Sequence, residues 1–569
     1  MIKKNILFLL FIFFLSEATS QNVRVEDFKN LFGKGNPLKL NGGFSANTVA
    51  NTGNSGNIRD PFTYYLNGNI NLNIYGQLNL PFSFNFTNSG TSYKLPSSPN
   101  RLSIHPSYKW ATGHIGDVSM VFSPYTLNGH MFTGVGVELS PDGWEFAAMY
   151  GRLLKAVEYE DLRPGFSPTY KRMGHGFKVG KITNKYRVSL NVLSAKDEVS
   201  SLIMPPDSLG VTPMENLAAS VSFMYKPVKF IELTGEYGLS LLTNDMRADN
   251  DQKDGILGLW SAGNMTSTYY NALKFQASYV GDGSKFGIAY ERIDPGYQTL
   301  GAYYFTNDLE NITINAYQSI LNKKLDVNLS LGYERDDISK IKANQNTRII
   351  GSVNLTGTFG ERIIANLMYS NFQSYSNARS NFELINQEIM YDQLDTLDYV
   401  QINQSANLNL NVITKKSEAE MHNLNVNLSY QDAANKQGGK YRPGSVTEMI
   451  NASTSYTLNF LKRKFSINAA LNLNNSKIYN GNTFTWGPTL GASSQLFNQK
   501  LMVSGAMSYN TSKLNSITQG DVFITRINSS YSPWKKHSIT FGYNFQWRSA
   551  LNRPISNNSL FTLGYNYTF

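Results

Sequence analysis

Residues 465–473 read Phe465-Ser-Ile-Asn-Ala-Ala-Leu-Asn-Leu473. Successive side chains of an extended chain point to opposite faces. Phe465, Ile467, Ala469, Leu471 and Leu473 therefore share one face, and Ser466, Asn468, Ala470 and Asn472 share the other. The pattern repeats along the chain. Leu325, Val327, Leu329, Leu331 and Tyr333 stand against Asp326, Asn328, Ser330 and Gly332. It recurs with Leu424, Val426, Leu428 and Tyr430, with Phe82, Phe84 and Phe86, and with Ile539, Phe541, Tyr543, Phe545 and Trp547. The polar face is built from Asn, Ser, Thr, Gly and Gln, which suit a wet interior and do not pack as a core. The alternating runs last about 9–12 residues, the length of a tilted strand crossing a bilayer. A soluble sandwich uses strands of about five or six residues. A solenoid needs a fixed repeat, and none of 20–30 residues is present.

Composition agrees. The chain has 569 residues, a formal net charge of +10, no Cys, and only 16% charged residues. Ordinary soluble domains carry roughly 25%. Aromatic residues make up 13%, with 34 Tyr and 33 Phe against 6 Trp, which excludes a disordered chain. The absence of Cys excludes disulfides and every thiolate site. Mean hydropathy is −0.31, and no segment after the N-terminus is apolar enough for a membrane helix.

Residues 1–20 read as a secretory signal peptide. Lys3 and Lys4 precede an unbroken apolar run, Ile6 to Leu15, and Ala18 and Ser20 mark a cleavage site before Gln21. Residues 21–36 form a short periplasmic segment, too short for a plug domain. Residues 37–569 are then the barrel, since an exported chain without membrane helices spans a bilayer only as a closed barrel.

Tight polar turns are expected near 76, 142, 184, 228, 283, 323, 360, 417, 463, 499 and 536. Longer connections are expected at 155–168, 198–214, 244–266, 293–307, 336–344, 376–398, 431–445 and 511–519. This asymmetry predicts an all-β, antiparallel, up-and-down transmembrane barrel with short periplasmic turns and longer extracellular loops. Counting two strands per turn gives about 26 strands, with 22 or 24 as the smaller alternatives. Tyr64, Tyr65, Tyr543 and Trp547 are expected in aromatic girdles near strand ends. At the C-terminus Leu563, Tyr565, Tyr567 and Phe569 alternate to the last residue. That resembles the signal by which the barrel-assembly machinery recognises its clients.

Catalytic patterns are weak. His105, His114, His130 and His175 cluster in sequence, but their spacing suits no ligand set, so no metal is expected. His105 and Ser107 are the best hydrolase pair available, and they say little. Asp245, Asp249, Asp251 and Asp254 resemble a calcium loop, but Lys253 and Trp260 occupy ligand positions. Tyr290-Glu291-Arg292 before Asp294 and Tyr333-Glu334-Arg335 before Asp336 and Asp337 are matching charged corners, read as structural pairing or a selective rim. Many cations sit in the tight turns, which argues for a basic periplasmic rim rather than a basic pore.

Residues 101–152 stand apart. Alternation is poorest at 111–130, where Gly, Pro and aromatics mix with charges. This segment reads as an irregular, turn-rich part of an ordinary hairpin, or as a luminal fold, strand bend or constriction; as a constriction, Arg101, Lys109, Asp117 and Arg152 are the candidates to face the lumen.

Together the export signal, the Asn-rich strands, the segment 101–152 and the terminal Tyr-Asn-Tyr-Thr-Phe resemble the large outer-membrane barrels of Bacteroidota-type bacteria. The resemblance implies location in the outer membrane and a barrel fold, and by analogy alone a role in secretion or surface assembly. The expected function is non-enzymatic passage of solutes or macromolecules across that membrane. The alternative is a plugged barrel that scaffolds a surface or periplasmic protein partner. Expected partners are outer-membrane lipid, lipopolysaccharide and the assembly machinery. No cofactor and no nucleic acid are expected.

Overall fold

The computed structural model describes residues 38–54, 61–88, 100–158, 168–203, 210–249, 263–336, 338, 347–372, 374–376, 400–434, 436–437, 440–441, 446–478 and 481–569. The signal peptide, the segment 21–36, Asp251, Asp254, Asp337 and most of the loop 376–398 lie outside the described residues.

The alternating runs become strands, and the strands close. The first, Leu38–Gly53, pairs antiparallel with Phe62–Ile74 on one side and with the last, Arg553–Thr568, on the other. The seam runs from Gly43 opposite Thr568 to Gly53 opposite Asn558. Every other strand pairs antiparallel with its sequence neighbours, giving a closed up-and-down barrel of 26 strands. Two of them are interrupted. Arg101–Ile104 and Ser107–Tyr108 form one broken strand, parted at His105-Pro106 because proline has no N–H for the ladder. Ile363–Ser370 and Ser374–Ser376 form the other.

Many strands exceed the expected length; Val400–Lys416 has 17 residues and Gly481–Leu496 has 16. About 9–11 residues cross the hydrocarbon, so these ladders continue beyond it. With strands about 4.8 Å apart and tilted by roughly 40°, the wall is roughly 160 Å around.

One face of the wall exposes apolar residues, among them Leu66, Ile115, Leu190, Ile288, Ile314, Leu471 and Leu490. The other presents Asn451, Asn472, Asn474, Asn510, Asn544 and Asn558. In strand Phe465–Ile478 the two sets alternate as the sequence predicts. The apolar set faces lipid and the amide set faces the lumen, where Asn474 Nδ2 donates to Asn451 Oδ1 at 2.5 Å. Tyr65 departs from the girdle expectation. It is 5% exposed and packs inward with Val49 and Leu560, while Tyr64 faces out.

All the tight turns expected from the sequence are present, together with one unforeseen at 109–110. The expected longer loop at 511–519 is absent. Leu501–Leu514 and Ile517–Tyr531 are joined by Asn515-Ser516 alone. Both residues have positive φ, 47° and 71°, the two-residue hairpin geometry that Asn favours.

Candidate functional site

The lumen is not uniform. After strand Ala111–Val121 the chain reads Phe122-Ser-Pro-Tyr-Thr-Leu-Asn-Gly129. Pro124 cannot continue a ladder, and Phe122 N donates to Leu127 O at 2.8 Å to close a tight inward turn. A second loop, 294–306, folds onto it. Asn128 N donates to Gly301 O at 2.9 Å, Thr299 Oγ1 to Thr126 O at 2.7 Å, and the Tyr297 hydroxyl to Tyr125 O at 2.8 Å. The two loops form an elbow clasped to the lumen wall.

The wall there is built to receive it. Val118, Met120, Phe122, Phe132, Met149, Leu153 and Leu193 point inward and bury Leu127 (0% exposed) and Leu300 (2%). Burying each leucine contributes about 2 kcal/mol. Small residues beside them leave room: a Cβ on Gly151 would meet Phe132 Cδ2 at 2.6 Å, and one on Gly174 would meet Leu153 Cδ1 at 2.8 Å. Polar atoms are matched as well. Asn216 Nδ2 donates to Ser240 Oγ at 2.7 Å and Leu241 O at 3.0 Å, and its Oδ1 accepts from Leu300 N at 3.1 Å. Ser240 Oγ donates to Gln298 O at 2.7 Å.

Tyr125 and Tyr297 stack edge to face, 5.9 Å apart, against Phe305. The Tyr125 hydroxyl donates to Glu291 Oε1 at 2.9 Å, and Lys274 Nζ lies 3.2 Å from Glu291 Oε2. Burial, then the adjacent Glu291 charge, pushes the Tyr125 phenol above its ordinary range; burial and Glu236 do the same for Tyr297. Beside the elbow lies a cleft of about 470 Å³ whose lining includes Lys274, Glu291, Asn311, Thr313, Glu334 and Phe372.

At the short-turn end of the same sector, His105 Nδ1 and His114 Nδ1 are 2.9 Å apart, and His114 Nε2 is 3.5 Å from Glu138 Oε2. The ring centroids are 5.1 Å apart, so the two nitrogens face each other almost head on and share a hydrogen bond rather than converge on a third point. Lys178 and Arg187 pair with Glu145 nearby, at 3.7 and 2.6 Å. Nothing in their spacing, nine residues apart, joins these two histidines. They meet because the break at Pro106 places His105 beside the following strand. Among the described residues no group of three His, Asp or Glu is arranged to hold a metal. His130 stacks on Tyr303 at 4.1 Å, and His175 pairs across strands with Tyr150, away from both.

Of the four lumen candidates, only Arg101 has the inward register, beside Asn85 and Ser103. Lys109 lies in the turn 109–110, over the Tyr108 ring. Asp117 and Arg152 share a register with Ile115, Val135 and Tyr150, which puts them on the outer face. There Asp117 accepts from Leu102 N at 3.0 Å and Thr133 Oγ1 at 2.6 Å, and Arg152 reaches Thr133 at 3.4 Å. Those two bond neighbouring strands together on the outer face rather than facing the lumen. The inward-folded elbow takes Tyr125 and Leu127 from the segment 101–152 and the rest of its side chains from 294–306.

The two charged corners divide between faces. Glu291 faces the lumen. Tyr290 and Arg335 face outward and both engage Glu310, the tyrosine at 2.6 Å. Asp245 is held by Arg247 at 2.9 Å, whose hydrogen bonds lower its carboxyl below the usual range. Leu563, Tyr565, Tyr567 and Phe569 line the closing seam. Tyr565 meets Phe44 at 5.8 Å, and Phe569 N donates to Gly42 O at 2.9 Å.

No family model matches the sequence, and no curated protein matches it. Among solved structures the chain is similar to the FrpB iron transporter from Neisseria meningitidis, at 11% identity and a TM-score of 0.36, over 96% of this chain and 84% of that one. It is similar to the P pilus usher (PapC) translocation pore at 9% and 0.38, over 94% and 100%. It is similar to the siderophore receptor PirA from Pseudomonas aeruginosa at 11% and 0.38, over 94% and 81%. Likeness this distant carries no argument about what the present chain transports or binds.

Proposed function

We propose that this protein is a non-enzymatic outer-membrane barrel that passes solutes or macromolecules, with the elbow of 122–127 and 294–306 as a fixed constriction at the long-loop end. The observation that carries the reading is a closed 26-strand wall, apolar outside and amide-lined inside. A wall roughly 160 Å around encloses far more space than two short loops occupy. Residues 1–20 as its export signal, the strand ending at Phe569 as the ligand of the assembly machinery, and a Bacteroidota-type host belong to the same proposal.

A second reading is favoured by the elbow itself: a gated or occupied barrel that scaffolds a partner. Single-channel conductance of the refolded barrel in a planar bilayer separates the two. Large, steady conductance supports passage. Silence from a correctly folded barrel supports the scaffold and removes the open pore.

A further inference from the structure

Twelve short turns form one rim of the barrel: 75–77, 109–110, 140–143, 183–185, 229–230, 282–283, 321–324, 360–362, 417–419, 461–464, 497–500 and 532–536. Together they hold twelve Lys or Arg and four Asp or Glu. That excess of eight is most of the chain's net +10, so everything outside this rim is nearly neutral.

The cations come paired with apolar side chains. Lys109 precedes Trp110, and Lys229 precedes Phe230. Leu321 precedes Lys323-Lys324, and Leu461 precedes Lys462-Arg463-Lys464. Phe497 precedes Lys500, and Trp534 precedes Lys535-Lys536. All six apolar residues are exposed, Phe497 at 71% and Trp534 at 70%. Lys323, Lys324, Lys462, Arg463, Lys464, Lys535 and Lys536 make no ion pair with any described residue.

A ring or leucine beside a free cation, repeated turn after turn, matches the boundary between headgroups and acyl chains. The apolar group enters the boundary, while the lysine stem follows it and carries the charge to phosphate. A soluble acidic partner would use the charges and leave the exposed rings unexplained. Six similar turns spread along the rim also suit many small identical ligands better than one protein face.

We infer that the short-turn rim binds anionic phospholipid headgroups of the leaflet it emerges from, each cationic turn taking a phosphate while its apolar residue seats in the acyl boundary. This rests on the membrane-spanning reading.

The test uses the full-length barrel, refolded and placed in nanodiscs of phosphatidylcholine containing about a quarter phosphatidylglycerol, with retained lipid counted by native mass spectrometry. The expected result is about a tenfold rise in the ratio of phosphatidylglycerol to phosphatidylcholine over bulk, weakening with salt. The seven-site variant with Lys323, Lys324, Lys462, Arg463, Lys464, Lys535 and Lys536 each changed to Gln removes seven of the rim's twelve cations and should lose at least half of that enrichment. A control at the opposite rim, Lys477→Gln with Lys513→Gln and Arg553→Gln, should keep it. Heat-modifiable gel mobility verifies folding, and the three-site change at 462–464 serves if the larger variant fails to refold. No enrichment by the native chain, or enrichment that the seven changes leave undiminished, overturns the inference. Tighter capture of polyglutamate than of lipid overturns it in favour of an acidic protein partner. A native barrel that never enters bilayers defeats the membrane reading instead.

Discussion

Strands Val446–Phe460 to Arg553–Thr568 and strands Ala111–Val121 to Ser284–Ile293 belong to one continuous wall but obey different rules. In the first sector each strand has a lipid face and a water face. Its luminal side chains are amides and hydroxyls that bond sideways to one another, as Asn474 does to Asn451 and Asn468 to Thr457 at 2.9 Å. In the second sector the inner face near the long-loop end is dry: apolar side chains such as Met120, Phe132 and Leu193 and matched polar ones such as Asn216 and Ser240 meet the elbow, which packs where water would be. The difference teaches that the two-residue period reports what lies on each side of the wall. The period fades where protein replaces water on the inner side, and that is where the candidate constriction stands.

The largest effect expected from breaking this contrast comes from a charge in the dry sector. Leu127→Asp or Leu300→Asp buries an unpartnered carboxylate and should cost several kcal/mol locally, enough to release the elbow. Chymotrypsin should then cut after Tyr297, and single-channel conductance should rise. Asn474→Asp in the amide-lined sector should leave both readouts near wild type. A released elbow with unchanged conductance would sink the constriction.

A smaller effect separates dry from wet hydrogen bonds. Asn216→Ala strands Leu300 N in a buried place, at about 1–3 kcal/mol. Asn474→Ala faces a lumen that offers water as a substitute partner, and about 0.5 kcal/mol or less is expected. Urea unfolding of both variants in vesicles measures the gap. Equal losses would mean that the amide-lined wall is as dry as the elbow.

Much of this was legible in the sequence, for physical reasons that differ by region. The strand count and the tight turns follow from period and turn chemistry, which are local. Alternation is poorest at 111–130, and the chain leaves the ladder there because Pro124 cannot continue it. The side chains that fill the elbow were not legible in the same way. Asp117 and Arg152 look luminal only if charge is assumed to seek the pore, yet their register with Ile115 and Tyr150 turns them outward. Tyr125 and Tyr297 lie 172 residues apart, and only closure of the wall brings them together. One signal was available. The connection 294–306 carries Tyr297, Tyr303, Tyr304 and Phe305, a composition that a solvated loop does not favour. Asn515-Ser516 was misread for the opposite reason: its polarity suggested a long loop, although two residues with positive φ suffice.

Alkaline pH gives a finer test of the dry sector. The Tyr125 and Tyr297 phenols hold their protons above the ordinary range, while a released loop would lose them near pH 10. The clasped state binds more protons than the released one above that point, so clasp stability is flat below about pH 10 and falls as pH rises beyond it. Chymotrypsin cleavage at the elbow should therefore increase above about pH 10 in the native chain. Tyr125→Phe with Tyr297→Phe should be looser at neutral pH, through the lost bonds to Glu291 and Tyr125 O, but should lack that alkaline slope. An identical slope in the double variant would assign it to other tyrosines.

The smallest effect belongs to the regular sector. Ser516 holds φ at 71° in a two-residue hairpin, a conformation that glycine adopts without steric cost. Ser516→Gly relieves that strain but gives the unfolded chain more freedom, so the net gain should be about 0.5 kcal/mol, read as a small rise in urea midpoint. The same change at Thr126 should go the other way. Thr126 accepts the Thr299 hydroxyl at its carbonyl, its own hydroxyl lies 3.0 Å from Ser123 Oγ, and it is wholly buried. A glycine there loosens the elbow's inner turn, at about 1 kcal/mol. If both changes moved stability in the same direction, the two sectors would not differ in what fixes their turns. That would count against the view that tertiary packing holds the elbow while local backbone preference holds the hairpin.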